Sequence, residues 1–246
     1  MIQITQLQKR FGEKTAVDIS NLSVKRGEII GLVGNNGAGK TTLFRLMLDL
    51  LKADKGNVTY AMPADECLEG ETPIEETDPA KTECWKQFTG AYLDEGFLID
   101  FLTPFEYFSF IGQTFGMSTE NIKQRVDSFA PFLDWQPLEE KKLIRDFSAG
   151  NKQKIGIIAA MFSSPKVLLL DEPFNFLDPS SQNYLSKMIK EYNASTHATV
   201  IVASHNLQHT IDTSTRILLM ENGKILRDQQ NNDEEALKEL NDYFNV

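Results

Sequence analysis

Cysteine is scarce in this chain. Cys67 and Cys84 are the only two in 246 residues, too few for a disulfide framework and too far apart for a CxxC redox or metal pair. That excludes the small disulfide-stapled folds and points to a reducing cytoplasm. Basic charge is also in deficit, with 25 Lys and Arg against 35 Asp and Glu and a formal charge of −10. No overall positive field exists to collect nucleic acid or anionic lipid, so no nucleic-acid partner is expected, and any phosphate must be held by a local site. No apolar run approaches the roughly 20 residues of a membrane span, and the opening Met1-Ile2-Gln3-Ile4-Thr5 lacks a basic region followed by a long apolar stretch. The chain by itself is expected to be soluble. No Gly/Ser-rich or Pro-rich linker divides it, and no fixed-period repeat is apparent.

Apolar residues supply 41% of the chain, ample for one large core. Strand-like apolar runs stand at Glu28 to Val33, Lys166 to Leu170, Thr199 to Ala203 and Arg216 to Met220, the first three followed by helical patterns. That alternation predicts an α/β fold with a mostly parallel sheet covered by helices. Ile2 to Leu7 and Ala16 to Val24, with turns at Gly12 and Gly27, predict an antiparallel β edge region. From Pro104 to Lys154 the period becomes helical. Phe105, Phe108, Ile111 and Phe115 mark one face, and Ile122, Val126, Phe129 and Phe132 another, best explained by core packing. The acidic, proline-interrupted stretch from Asp65 to Glu83 reads as a solvated loop, and Asn232 to Phe244 as a capped amphipathic helix.

Chemistry concentrates at three strand ends. Gly34-Asn35-Asn36-Gly37-Ala38-Gly39-Lys40-Thr41 follows the apolar strand Ile29 to Val33 and leads into a helix through Thr42 toward Leu51, the context a phosphate-binding P-loop needs. The glycines allow backbone N–H groups to point inward, and the helix N-terminus adds its positive dipole end. Lys40 can reach β and γ phosphates, and the Thr41 hydroxyl can ligate Mg2+. Lys166 to Glu172 delivers two acids to the end of a buried strand: Asp171 to hold Mg2+ and Glu172 to polarise an attacking water. The strand Ala198 to Ala203 ends at Ser204-His205, placing an imidazole at the same edge. His197 and His209 read as structural.

In this order the motifs resemble the ATP-binding cassette (ABC) family, over about residues 2 to 226. Phe147-Ser148-Ala149-Gly150-Asn151 stands where the family has its LSGGQ signature, Phe11 resembles the aromatic that stacks on adenine, and Asn175-Phe176-Leu177-Asp178 resembles the D-loop at the dimer interface. The sequence departs from the family pattern at Ala149 and Asn151 and at Glu95, which stands for the Q-loop glutamine and could still ligate Mg2+. The resemblance implies a P-loop NTPase core as a single cassette domain over 1–246, with a helical subdomain inserted at about 96–154 and a short C-terminal helix at about 232–244. It also implies ATP and Mg2+ as cofactors. Two nucleotides would be sandwiched between two cassettes, in a homodimer or in a heterodimer with another ABC ATPase, Ser148, Ala149, Gly150 and Asn151 of one chain meeting the other's ATP. A transmembrane permease on a separate chain would be the partner, most resembling exporter-type or uncharacterised ABC-2 systems, with the cassette peripheral at the inner face of the cell membrane. The competing reading is a soluble ATP-gated assembly factor, which carries the same motifs.

Overall fold

The computed structural model describes residues 1–62, 72–133 and 141–231. Cys67, residues 65–71 of the acidic 65–83 stretch and the expected helix at 232–244 lie outside the described residues. Among the described residues the strands form two sheets.

The first sheet begins as a hairpin. β1 (Ile2–Phe11) pairs antiparallel with β2 (Lys14–Val24), Ile2 opposite Val24 and Phe11 opposite Lys14. Gly12 closes the turn with φ +58°, a conformation open to glycine without a Cβ penalty. On the other side of β1 lies β4 (Lys55–Met62), and on β4 lies β5 (Ile74–Thr77), giving the order β2-β1-β4-β5. The edge region is therefore larger than the sequence predicts, and part of the expected acidic loop is a strand. Thr77 is buried whereas Glu75 and Glu76 are exposed. A short edge strand facing water keeps a loop-like composition.

The second sheet runs in the order β10-β9-β3-β8-β7-β6, with β3 (Ile29–Val33), β6 (Thr89–Tyr92), β7 (Val167–Asp171), β8 (Thr199–Ser204), β9 (Arg216–Glu221) and β10 (Lys224–Gln230). β9 through β6 are parallel, and β10 joins antiparallel. Every residue of β3, β7 and β8 is buried, as expected for a parallel sheet covered on both faces. One face carries Leu168, Leu170, Val200 and Val202 against Phe108, Phe132 and Phe162. The other carries Val167, Leu169, Ile201 and Ala203 against Phe44, Met47, Ile2 and Ile4, so it joins the parallel sheet to the antiparallel one.

The helices are α1 (Lys40–Met47), α2 (Pro104–Thr114), α3 (Thr119–Leu133), α4 (Ala149–Met161), α5 (Pro179–Thr196) and α6 (Leu207–Thr213). α1 stops four residues short of Leu51 because Asp49 turns to φ +50° and the N–H groups of Leu50 and Leu51 fold back onto the Arg45 carbonyl. α2 starts at a reciprocal cap, the Thr103 hydroxyl accepting from Glu106 N–H while the Glu106 carboxylate accepts from Thr103 N–H. Phe108 stacks on Phe162 with centroids 5.5 Å apart. Ile122, Val126, Phe129 and Phe132 are buried as their spacing predicts, but Phe115 follows the last turn of α2 and is 43% exposed.

β6 lies so close to α4 that a Cβ on Gly90 would come within 1.9 Å of the Ala160 carbonyl oxygen and 2.8 Å of Pro165. Gly90→Ala is expected to destabilise the fold by about 1–3 kcal/mol through overpacking, read as a lower denaturation midpoint in urea. An unchanged midpoint would mean that β6 and α4 are not held at this separation.

Candidate active site

The loop between β3 and α1 is shaped by close backbone approach. Gly39 takes φ +113°, and a Cβ there would meet the Ala16 carbonyl oxygen at 2.2 Å. Gly39 is also the N-cap of α1 and offers no side-chain cap. The first N–H groups of the helix are therefore left for a ligand, which suits an anion. Lys40 is 6% exposed. Its ammonium donates to the Gly34 carbonyl at 2.6 Å and sits 3.4 Å from Glu172 Oε1. Around it lies a cavity of about 280 Å3 formed by 36–42, Lys14, Ala16, Phe11 and Glu172. Phe11 stands at the rim, 52% exposed, with the Lys9 ammonium 5.7 Å from its ring centroid. Asn35 lies outside this lining; its carbonyl accepts from Ala38 N–H.

The end of β7 supplies the acids. The Thr41 hydroxyl donates to Asp171 Oδ2 at 2.5 Å, and Asp171 Oδ1 is buried with no hydrogen-bond partner among the described residues. Burial first, and then the Glu172 charge, pushes the Asp171 carboxyl up to about 6 against the opposing pull of Thr41 and Lys40. A carboxylate so placed, beside a hydroxyl and with a lone pair unused, suits a divalent cation. Glu172 turns back at φ +47°. Its Oε2 accepts from the Ser204 hydroxyl and the His205 N–H, both at 3.2 Å, and lies 2.8 Å from His205 Nδ1. The expected convergence of P-loop, Asp171, Glu172 and His205 is thus present at one sheet edge. His197 instead ends α5 in the left-handed conformation, and His209 stacks on Phe174 at 5.2 Å.

The remaining residues lie elsewhere. Ser148 is the N-cap of α4, its hydroxyl accepting from Asn151 N–H at 3.4 Å. Ser148, Gly150 and Asn151 are absent from the lining of the P-loop cavity. Ala149 faces a second cleft, of about 180 Å3, formed with Gln153, Tyr92, Leu93, Asp94, Asp171, Glu172, Asn175 and Phe176. α4 begins at Ala149 because the Ser148 cap sets its start. The Asp178 carboxylate caps α5, accepting from the N–H and hydroxyl groups of Ser180 and Ser181, and these bonds hold it well below the usual carboxylate range. Glu95 opens a 3-10 turn three residues after the end of β6, and its side chain lies outside the described residues. Gln153 and Ser204 are site residues that sequence reasoning missed: a glutamine in a polar run and a serine at a strand end carry no motif of their own.

Comparison with known proteins agrees with this geometry. The family model described as ABC transporter matches residues 17–175. The linearmycin resistance ATP-binding protein LnrL of Bacillus subtilis is 33% identical over 228 residues, covering 92% of this chain and 68% of that protein. The bacitracin transport ATP-binding protein BcrA of Bacillus licheniformis is 30% identical, covering 93% and 69%. Among solved structures, an ATP-binding subunit of an ABC transporter superposes over the full length of both chains with a TM-score of 0.82 at 20% identity. A dimeric ATP-binding cassette in a post-hydrolysis state with ADP and phosphate gives 0.78 at 21%, covering 95% of this chain and all of the other. With well over half of its length matched by the family model and its phosphate loop and paired acids in place, this chain belongs to the ABC transporter ATP-binding family and is an ATPase on a P-loop NTPase fold.

Proposed function

We propose that the chain, as a single cassette domain with a helical subdomain at about 96–154, dimerises head to tail around two Mg-ATP and drives a separate transmembrane permease at the inner face of the cell membrane. One observation carries the reading: the P-loop and Glu172 line one cavity, with Asp171 bonded to Thr41 and His205 beside Glu172, while the Ser148 end of α4 stands outside that cavity and exposed. A second phosphate-binding helix start that does not serve its own loop is available to a partner's nucleotide. Among the described residues no helix is long and apolar enough to cross a membrane, and this reading assigns the spans to the permease.

In each site Lys40 neutralises the β and γ phosphates, and Phe11 offers a ring face at the rim for the base. Thr41 and Asp171 would hold Mg2+, which supplies charge neutralisation across the phosphates. Glu172 accepts the proton of the attacking water as its oxygen bonds to the γ phosphorus and ADP leaves. Ser204 and His205 hold the acid in place. Closed-state contacts at Ser148 exist only while the γ phosphate bridges two chains, so ATP favours closure by differential binding. Relatives named for linearmycin resistance and for methionine import have similar identity to this chain. Direction and substrate therefore reside in the permease.

The test uses tagged Glu172→Gln protein with ATP, purified from detergent-solubilised host membranes. Stoichiometric recovery of a polytopic membrane protein is expected. An ATP-dependent dimer confined to the soluble fraction would overturn this reading in favour of the assembly factor.

A further inference from the structure

The segment from Glu172 to Phe176 holds two residues with side chains in the left-handed region, Glu172 at φ +47° and Phe176 at φ +59°. Such backbone is costly and persists only where its neighbours over-determine it. At Glu172 the restraints are explicit. Its N–H donates to the Ala203 carbonyl on β8 at 2.7 Å, and its carbonyl accepts from Asn175 N–H at 3.2 Å and from Gln153 Nε2 at 2.9 Å. Gln153 is 3% exposed and lies on α4, one turn beyond Ala149. At the other end of the segment, α4 presses its bare backbone on Phe176: a Cβ on Gly150 would lie 2.5 Å from the Phe176 carbonyl oxygen. The same helix therefore grips this segment twice, once through an amide and once through the lack of a side chain.

We propose that Gln153 is a positioning residue for the general base. Its buried amide fixes the Glu172 peptide in the left-handed turn from which the carboxylate meets Ser204 and His205, and it ties that peptide to the helix that Ser148 caps. A rotation of α4 that brings Ser148 onto a partner's nucleotide carries the Gln153 amide with it. Engagement of one site is thereby coupled to alignment of the base in the same chain's own site. The inference rests on Glu172 being the base.

Two variants separate this from a role in folding. Gln153→Met fills the volume without a donor, and Gln153→Glu sets an acceptor against the carbonyl. Each is expected to lower kcat, Gln153→Met by about tenfold and Gln153→Glu by more, with KM for ATP within about twofold of the parent. In a Glu172→Gln background, where no base remains to align, Gln153→Met is expected to leave the ATP-dependent dimer intact by gel filtration. Parental kcat in both variants would overturn the proposal. So would loss of the dimer in the Glu172→Gln background, since Gln153 would then act on the Ser148 end of the helix. Parental turnover by Glu172→Gln alone would overturn the base assignment as well, and that single variant distinguishes the two failures.

Discussion

Lys40→Ala is expected to weaken ATP binding by about a hundredfold or more. The ammonium is the buried cation of the phosphate cavity, 6% exposed and anchored at 2.6 Å by the Gly34 carbonyl. Charge-assisted hydrogen bonds of this kind are worth roughly 1.5–3 kcal/mol each, and two to phosphate oxygens correspond to about two or more decades in Kd. The substitution also leaves Glu172 Oε1 without its partner at 3.4 Å, so the site gains negative character where the phosphates must sit. Titration with a fluorescent ATP analogue, alongside a melting curve to confirm folding, checks the prediction. An affinity equal to that of the parent would remove the phosphate assignment altogether.

Glu172→Gln acts on a different step. The amide keeps the shape of the side chain and the backbone turn at φ +47°, but it cannot accept the water's proton. Turnover is expected to fall by about 10² to 10⁴-fold, with ATP binding retained because one negative charge beside the phosphates is gone. A dimer that assembles with ATP and does not reopen should then accumulate, visible by analytical ultracentrifugation. Hydrolysis at the parental rate would show that another group takes the proton. The two variants thus fail in opposite ways, one empty and one locked.

Much of this was legible before the structure because two physical signals are strong. Strands β3, β7, β8 and β9 are buried on both faces and spell continuous apolar runs, so their positions emerge within a residue or so. Residues at their C-terminal ends then fall at one sheet edge by topology alone, which is how Asp171, Glu172 and His205 were foreseen. The misses have equally physical causes. β5 has one buried residue, Thr77, and two exposed acids, so its pairing with β4 leaves no hydrophobic trace. The early end of α1 depends on a left-handed Asp49, for which the residue type gives little warning. The capping role of Asp178 is likewise a matter of local geometry, four donors at the start of α5 meeting its carboxylate, which the motif containing it does not announce. Gln153 matters through a backbone carbonyl, a contact that leaves no mark in any periodicity.

The parallel sheet that carries a core on each face also governs how this chain can change length. In β7, Leu168 and Leu170 pack on one side, Val167 and Leu169 on the other, and β8 divides Val200 and Val202 from Ile201 and Ala203 in the same way. Since both sides are apolar, individual side chains can be exchanged for others of similar volume. Loss or gain of a single residue is another matter, because it turns every following side chain to the opposite face and moves Asp171 away from Thr41 or His205 away from Glu172. Drift in residue type within these strands is thus tolerated while drift in residue number is not, and insertions belong in the connections away from the catalytic edge.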